Sequence, residues 1–176
     1  MPSLASCKLA RTSEKRRHLP TEQLQNINLN MPIIGLISQQ GASVAEAKQL
    51  TGRGITVVGF DYEPSGRQQL MAAGVVVTSS VRAVLLHLPA EKIIWAVVGE
   101  ADKKAALMQQ LSENLPHGSV VVDGSGGGDA GFWTARFEER KIHFLFIENG
   151  GKGLGKVLKG KKEIVEKCRP IFDWLG

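Results

Sequence analysis

Between Gly35 and Leu50 the chain reads G-L-I-S-Q-Q-G-A-S-V-A-E-A-K-Q-L. The residues that could meet an anion stand together there: Ser38, Gln40, Gly41 and Ser43. An apolar run precedes them and a helical pattern follows. A strand-to-helix turn of that kind sets backbone amides and the positive end of a helix against a phosphate. Ser38 and Ser43 add hydroxyl donors, and Gly41 adds a permissive backbone. Gln40 brings a side chain to the place where a phosphate would rest. Two readings are open: a weakened anion site, or a loop closed by its own Gln and Ser hydrogen bonds. Asp61 follows roughly 20 residues later, where an acid can grip the hydroxyls of an adenosine ribose. An acid there favours NAD over NADP, because it repels a 2′-phosphate. Its alternative use is to cap the helix opening at Pro64.

Two glycine-rich stretches offer further backbone donors. D-G-S-G-G-G-D-A-G runs from Asp123 to Gly131, and a second stretch runs from Asn149 to Gly155. An anion could sit on such amides, or the stretches are plain mobile connections. From Gly150 the same region reads G-G-K-G-L-G-K-V, close to a P-loop. Val157 stands where that motif needs a magnesium-binding Ser or Thr, and the stretch comes late in the chain, so a nucleotide triphosphatase is not expected. Metal and redox chemistry find little support. His18, His87, His117 and His143 are scattered, and Cys7 and Cys168 lie at opposite ends and read as reduced thiols.

These residues need a scaffold to hold them, and the apolar pattern describes one. Strands are expected at Pro32–Ile37, Ile55–Phe60, Val75–Val77, Lys92–Val98, Ser119–Val122 and Ile142–Ile147. Helices are expected at Ala42–Thr51, Pro64–Ala73, from a Ser79 or Ser80 cap to His87, Ala101–Asn114, Phe132–Arg140 and Lys161–Trp174. Several strands are apolar throughout, which implies burial on both faces and parallel pairing. The expected fold class is α/β: a Rossmann-like, doubly wound, mainly parallel six-stranded sheet in three layers over residues 31–176. Residues 1–30 lack hydrophobic periodicity and read as a disordered basic arm. They hold the Ser/Thr and basic residues of a transit peptide, but also two acids and a proline, which favours a flexible leader. Much of the net charge of +5 sits in this arm and after Gly150. Without interleaved aromatics or a recognisable motif, that charge does not point to nucleic acid. No apolar run has the length of a membrane span. The expectation is a soluble, cytoplasmic protein, organellar if the arm is a transit peptide.

Four segments, I-T-V-V-G-F-D-Y-E-P, I-I-W-A-V-V-G, G-S-V-V-V-D-G and I-H-F-L-F-I, occur in an order and spacing that resemble a known domain. It is the N-terminal NAD(P)-binding domain of the 6-phosphogluconate and 3-hydroxyisobutyrate dehydrogenase superfamily. The resemblance implies a cofactor site at Ser38, Gln40, Gly41, Ser43, Asp61, Val98 and Gly99. Ser38, Gln40 and Ser43 fall on the three glycines of the family's G-x-G-x-x-G, so all three glycines are replaced. Gly99 falls on the proline of its V-P-A turn. In the loop after the fifth strand the family's Asn and Ser are missing. Asn149, Gly150 and Gly151 fall on its substrate-binding S-G-G. The family's catalytic K-x-x-H-N does not occur in this sequence.

The resemblance therefore implies a stand-alone domain whose binding of NAD or NADP is weak or lost, without independent dehydrogenase activity. A partner chain or self-association would replace the family's helical domain. The alternative is a degenerate, non-catalytic Rossmann domain used for protein contacts. On either reading, Ile164, Ile171, Phe172 and Trp174 of the last helix form an exposed partner surface or pack back on the sheet.

Overall fold

The computed structural model describes residues 32–126, 128–149 and 155–175. The expectations for the arm at 1–30 and for Gly150 and Gly151 lie outside these residues. Strand β1 (Ile33–Ser38) leads into helix α1 (Val44–Gly52), then β2 (Thr56–Asp61) and α2 (Pro64–Ala72). The short β3 (Val76–Val77) precedes α3 (Val81–His87), β4 (Ile93–Val97) and α4 (Ala101–Asn114). Next come β5 (Val120–Asp123), α5 (Ala130–Glu139), β6 (His143–Asn149), β7 (Lys156–Lys159) and α6 (Lys162–Cys168). The sheet order is β3-β2-β1-β4-β5-β6-β7. Every pairing from β3 to β6 is parallel, and β7 runs antiparallel to β6. The first six strands thus have the doubly wound order of dinucleotide-binding sheets.

The local signals explain the elements. Ile34, Leu36 and Ile37 of β1 and Val120, Val121 and Val122 of β5 are buried, as strands covered on both faces must be. Pro64 opens α2 where its missing N–H costs nothing. The Ser80 hydroxyl accepts from the Ala83 amide at 3.1 Å and caps α3. Helices α1, α2 and α6 cover one face of the sheet through Leu50, Leu70 and Ile164. Helices α3, α4 and α5 cover the other through Val84, Leu111 and Phe137. The expected three layers are therefore present.

Two expectations need correction. The sheet has seven strands, because Lys156–Lys159 adds an antiparallel edge. Only Leu158 of that strand is buried, and the flanking lysines keep a free edge charged. The last helix ends at Cys168, not Trp174, since Pro170 has no N–H to continue the ladder. The tail after it turns back on the domain. Arg53 donates to the carbonyls of Pro170 and Ile171 at 2.7 and 2.8 Å and pairs with Asp173. Ile164 and Phe172 are buried, and Ile171 and Trp174 pack against the same core. Ile164 and Phe172 thus pack back on the sheet, while Ile171 and Trp174 stay half-buried. Among the described residues no helix is long and apolar enough to cross a membrane.

Candidate nucleotide site at the sheet's switch point

Strand order reverses between β1 and β4, and ligands of open α/β sheets bind outside the carboxyl ends of the strands at such a point. Helices α1 and α4 both begin there. An open depression between them is lined by Gln39, Gln40, Ala42, Gly99 and Glu100. Gln40 and Gly99 were expected at the site. Val98 is also at the end of β4, but its side chain is buried in the core. A side chain at Gly99 would meet nothing, so no close backbone approach requires glycine there.

The turn itself is closed by the protein's own groups. The Ser38 hydroxyl accepts from the Ser43 amide at 3.2 Å, and both serines are buried. The Gln39 amide donates to Val97, the Ala42 amide to Gln39 and the Val44 amide to Gly41. Gln40 and Gly41 both adopt left-handed backbone, with φ of 55° and 72°. That conformation aims their two amides the same way, and both reach one carboxylate. Asp61 accepts from Gln40 at Oδ1 (3.0 Å) and from Gly41 at Oδ2 (2.9 Å). Its Oδ1 also accepts from the Glu63 amide at 2.8 Å, at the start of α2. Every backbone amide from Gln39 to Val44 thus has an acceptor inside the domain.

Asp61 is 0% exposed. It lies between the α1 turn and the first turn of α2, where a side chain on Gly66 would overlap its carboxylate. The hydrogen bond from Glu63 closes a two-residue turn just before α2; no side chain caps the helix's first amides. A carboxylate in that position also gains from the positive ends of two helices. Arg67, on α2, donates to the Asp61 carbonyl at 2.8 Å. Asn149 ends β6, at the far side of the sheet from Asp61.

Sequence reasoning missed a chain of side chains that starts at the crevice's edge and runs toward α2. Gln39 and Glu100 exchange two hydrogen bonds: Gln39 Nε2 donates to Glu100 Oε2 at 3.1 Å, and the Glu100 amide donates to Gln39 Oε1 at 3.2 Å. Lys103 lies 2.9 Å from Glu100 and 3.8 Å from Glu63. Lys103 and, after it, Gln39 hold the Glu100 carboxyl below the usual carboxylate range. Glu100 in turn raises the Lys103 ammonium. Tyr62, the chain's one tyrosine, sits under Lys103 with its ring centroid 5.9 Å from Nζ. Burial raises its phenol, and Lys103 partly offsets that.

A second polar cluster fixes the loop after β5. Lys104 Nζ lies 2.7 Å from Asp123 Oδ2, an ion pair off the line of a good hydrogen bond. It also reaches Asp129 Oδ1 at 3.0 Å and the Gly126 carbonyl at 3.1 Å. Asp123 is fully buried and accepts from the Ser125 amide at 2.9 Å; Asp129 accepts from the Trp133 indole at 2.8 Å. Asp123, Gly126 and Asp129 are therefore tied together through Lys104, where the sequence suggested either an anion-binding loop or a mobile connection.

The comparisons agree with this architecture. Residues 33–176 match the family model described as the NAD binding domain of 6-phosphogluconate dehydrogenase. The chain belongs to this family. None of the curated proteins compared matches it. Among solved structures, it is similar to a 3-hydroxyisobutyrate dehydrogenase of Mycobacterium tuberculosis, determined with L-serine. That pair shares 18% identity and a TM-score of 0.69, over 81% of this chain and 51% of the other. An imine reductase variant from Myxococcus stipitatus in complex with NAD+ gives 19% identity and a TM-score of 0.67, over 82% and 52%. An imine reductase from Bacillus cereus gives 19% and 0.63, over 81% and 52%. The chain spans about half the length of each, and at these identities the likeness shows the shared fold.

Proposed function

We propose that this domain binds a nicotinamide dinucleotide weakly at the crevice between β1 and β4, and that its own residues do not transfer hydride. Family membership and the switch-point crevice support the ligand class. The closed turn supports the weakness. A pyrophosphate needs free amides at the start of α1, and the amides from Gln39 to Val44 already have acceptors. As folded, the turn does not fit a dinucleotide. Seating one requires Gln40 and Gly41 to release Asp61 and the Gln40 side chain to move aside. A ribose would likewise have to draw out a carboxylate with no exposed surface. The chemistry at the crevice is binding and orientation, since the family's K-x-x-H-N is not in this sequence.

Melting with coenzyme tests this. About 5 mM NAD or NADP should raise Tm by less than about 4 °C, corresponding to a Kd near or above about 1 mM. Gln40→Gly should enlarge that shift, because it frees the left-handed position from side-chain strain and clears the phosphate's place. Its unliganded Tm should stay within about 2 °C of the wild type, unlike an ordinary interior glycine substitution. A wild-type shift above about 5 °C would show an intact cradle. No shift with either coenzyme, in wild type and variant alike, would favour the second reading, a scaffold for protein contacts.

A further inference from the structure

We propose that Glu63, Lys103, Glu100 and Gln39 form an ionic strap across the crevice, which must part before a dinucleotide can seat. This rests on the binding reading above. The strap joins the ends of three strands. Glu63 follows β2, Gln39 follows β1, and Glu100 and Lys103 lie at and just inside the start of α4. Its contacts run without a gap: 3.8 Å from Glu63 to Lys103, 2.9 Å from Lys103 to Glu100, and 3.1 Å from Glu100 to Gln39. A dinucleotide with its pyrophosphate at α1 and its ribose at Asp61 carries its base beyond Asp61, where Tyr62, Glu63 and Lys103 stand. The strap fills that path. Glu100 and Glu63 also set two carboxylates beside the track of a polyanion, with Lys103 neutralising them.

The outer members are half-exposed, with side-chain exposures of 37% for Lys103, 39% for Glu63 and 51% for Glu100. Such pairs are weak, so the strap can open, and its effect on affinity is modest. The local charge decides the design of a test. Removing Lys103 alone breaks two of the strap's links but leaves Glu63 and Glu100 uncompensated beside a polyanion, which opposes binding. Removing Lys103 together with the Glu100 charge breaks the same links at unchanged local charge and should strengthen binding.

The test is the charge-balanced pair Lys103→Met with Glu100→Gln in the full chain, with NAD titrated by calorimetry at low salt. We expect affinity to rise about threefold. Lys48→Ala, an exposed lysine on α1 outside the strap, should leave affinity unchanged or slightly lower. A ligand-free measurement checks that the strap is closed. Ultraviolet titration of Tyr62 should give a midpoint above that of a free tyrosine, and Lys103→Met should move it further up. An unmoved Tyr62, or NAD binding no tighter in the Lys103→Met, Glu100→Gln pair than in wild type, overturns the strap and leaves the wild-type binding reading standing. Absence of NAD binding in both proteins overturns both.

Discussion

Asp61→Ala lowers Tm by about 10 °C, the loss expected from about 3–5 kcal/mol in a domain of this size. Asp61 accepts from three backbone amides while fully buried. Hydrogen bonds to a charged acceptor contribute more than neutral ones, and their removal strands the donors out of reach of water. The variant also separates two roles for the acid. If Asp61 is the domain's internal anion, its removal opens an anion-sized space facing the Gln40 and Gly41 amides. Formate should then restore part of the lost Tm, by about 1.4 kcal/mol at a tenfold excess over its Kd. The wild type should show no such recovery. If instead Asp61 served mainly to grip a ribose, the variant would keep its Tm, ignore formate and lose coenzyme binding.

Lys104→Met should cost a similar amount, about 3–5 kcal/mol, because it leaves a buried charge without its partner. Asp123 is 0% exposed and Lys104 only 11%. Burial alone would lower the Lys104 ammonium's pKa, but its contacts with Asp123 and Asp129 outweigh that and raise it above its ordinary 10.5. Burial would likewise raise Asp129, but Lys104 and Trp133 hold it below 3.8. The raised lysine contributes stability fully present below its unfolded value and lost as pH climbs through the higher folded one. The depressed aspartate contributes stability present above its unfolded value and lost as pH falls through the lower folded one. The gap in Tm between wild type and Lys104→Met should therefore be flat across neutral pH. It should shrink only in strong acid or above the ordinary lysine range. Adding Asp123→Asn to Lys104→Met should recover part of the loss, since the amide removes the buried charge and still offers Ser125 an acceptor. Equal melting of wild type and Lys104→Met would show that the pair adds nothing.

Most of the fold was legible because its signals are local. Unbroken apolar runs such as Ile33–Ile37 and Val120–Val122 mark buried parallel strands, and Pro64 and Ser80 mark helix starts. The strand Lys156–Lys159 was not legible, because four residues with one buried side chain carry almost no periodic signal. The site was legible by position and not by use. The sequence put Asp61 at the end of the second strand, and the structure brings it against the Gln40 and Gly41 amides. Whether the acid faced a ligand or its own backbone depended on two left-handed residues that no pattern announces. Gln39 and Glu100 are 61 residues apart, and each alone reads as a solvated polar residue. Their pairing exists only because β1 and β4 are neighbours. Lys104 and Asp123 escaped notice for the same reason.

The central claim is that the α1 turn's anion site is held by Asp61. Nuclear magnetic resonance of the Gln40 and Gly41 amides during an NAD titration measures it most directly. The account predicts downfield amide signals, protected from solvent exchange before ligand is added, that move only at millimolar NAD. In Asp61→Ala the same two signals should lose that protection. Gln40 and Gly41 amides that exchange freely in the unliganded wild type, and saturate with NAD at tens of micromolar, would contradict it.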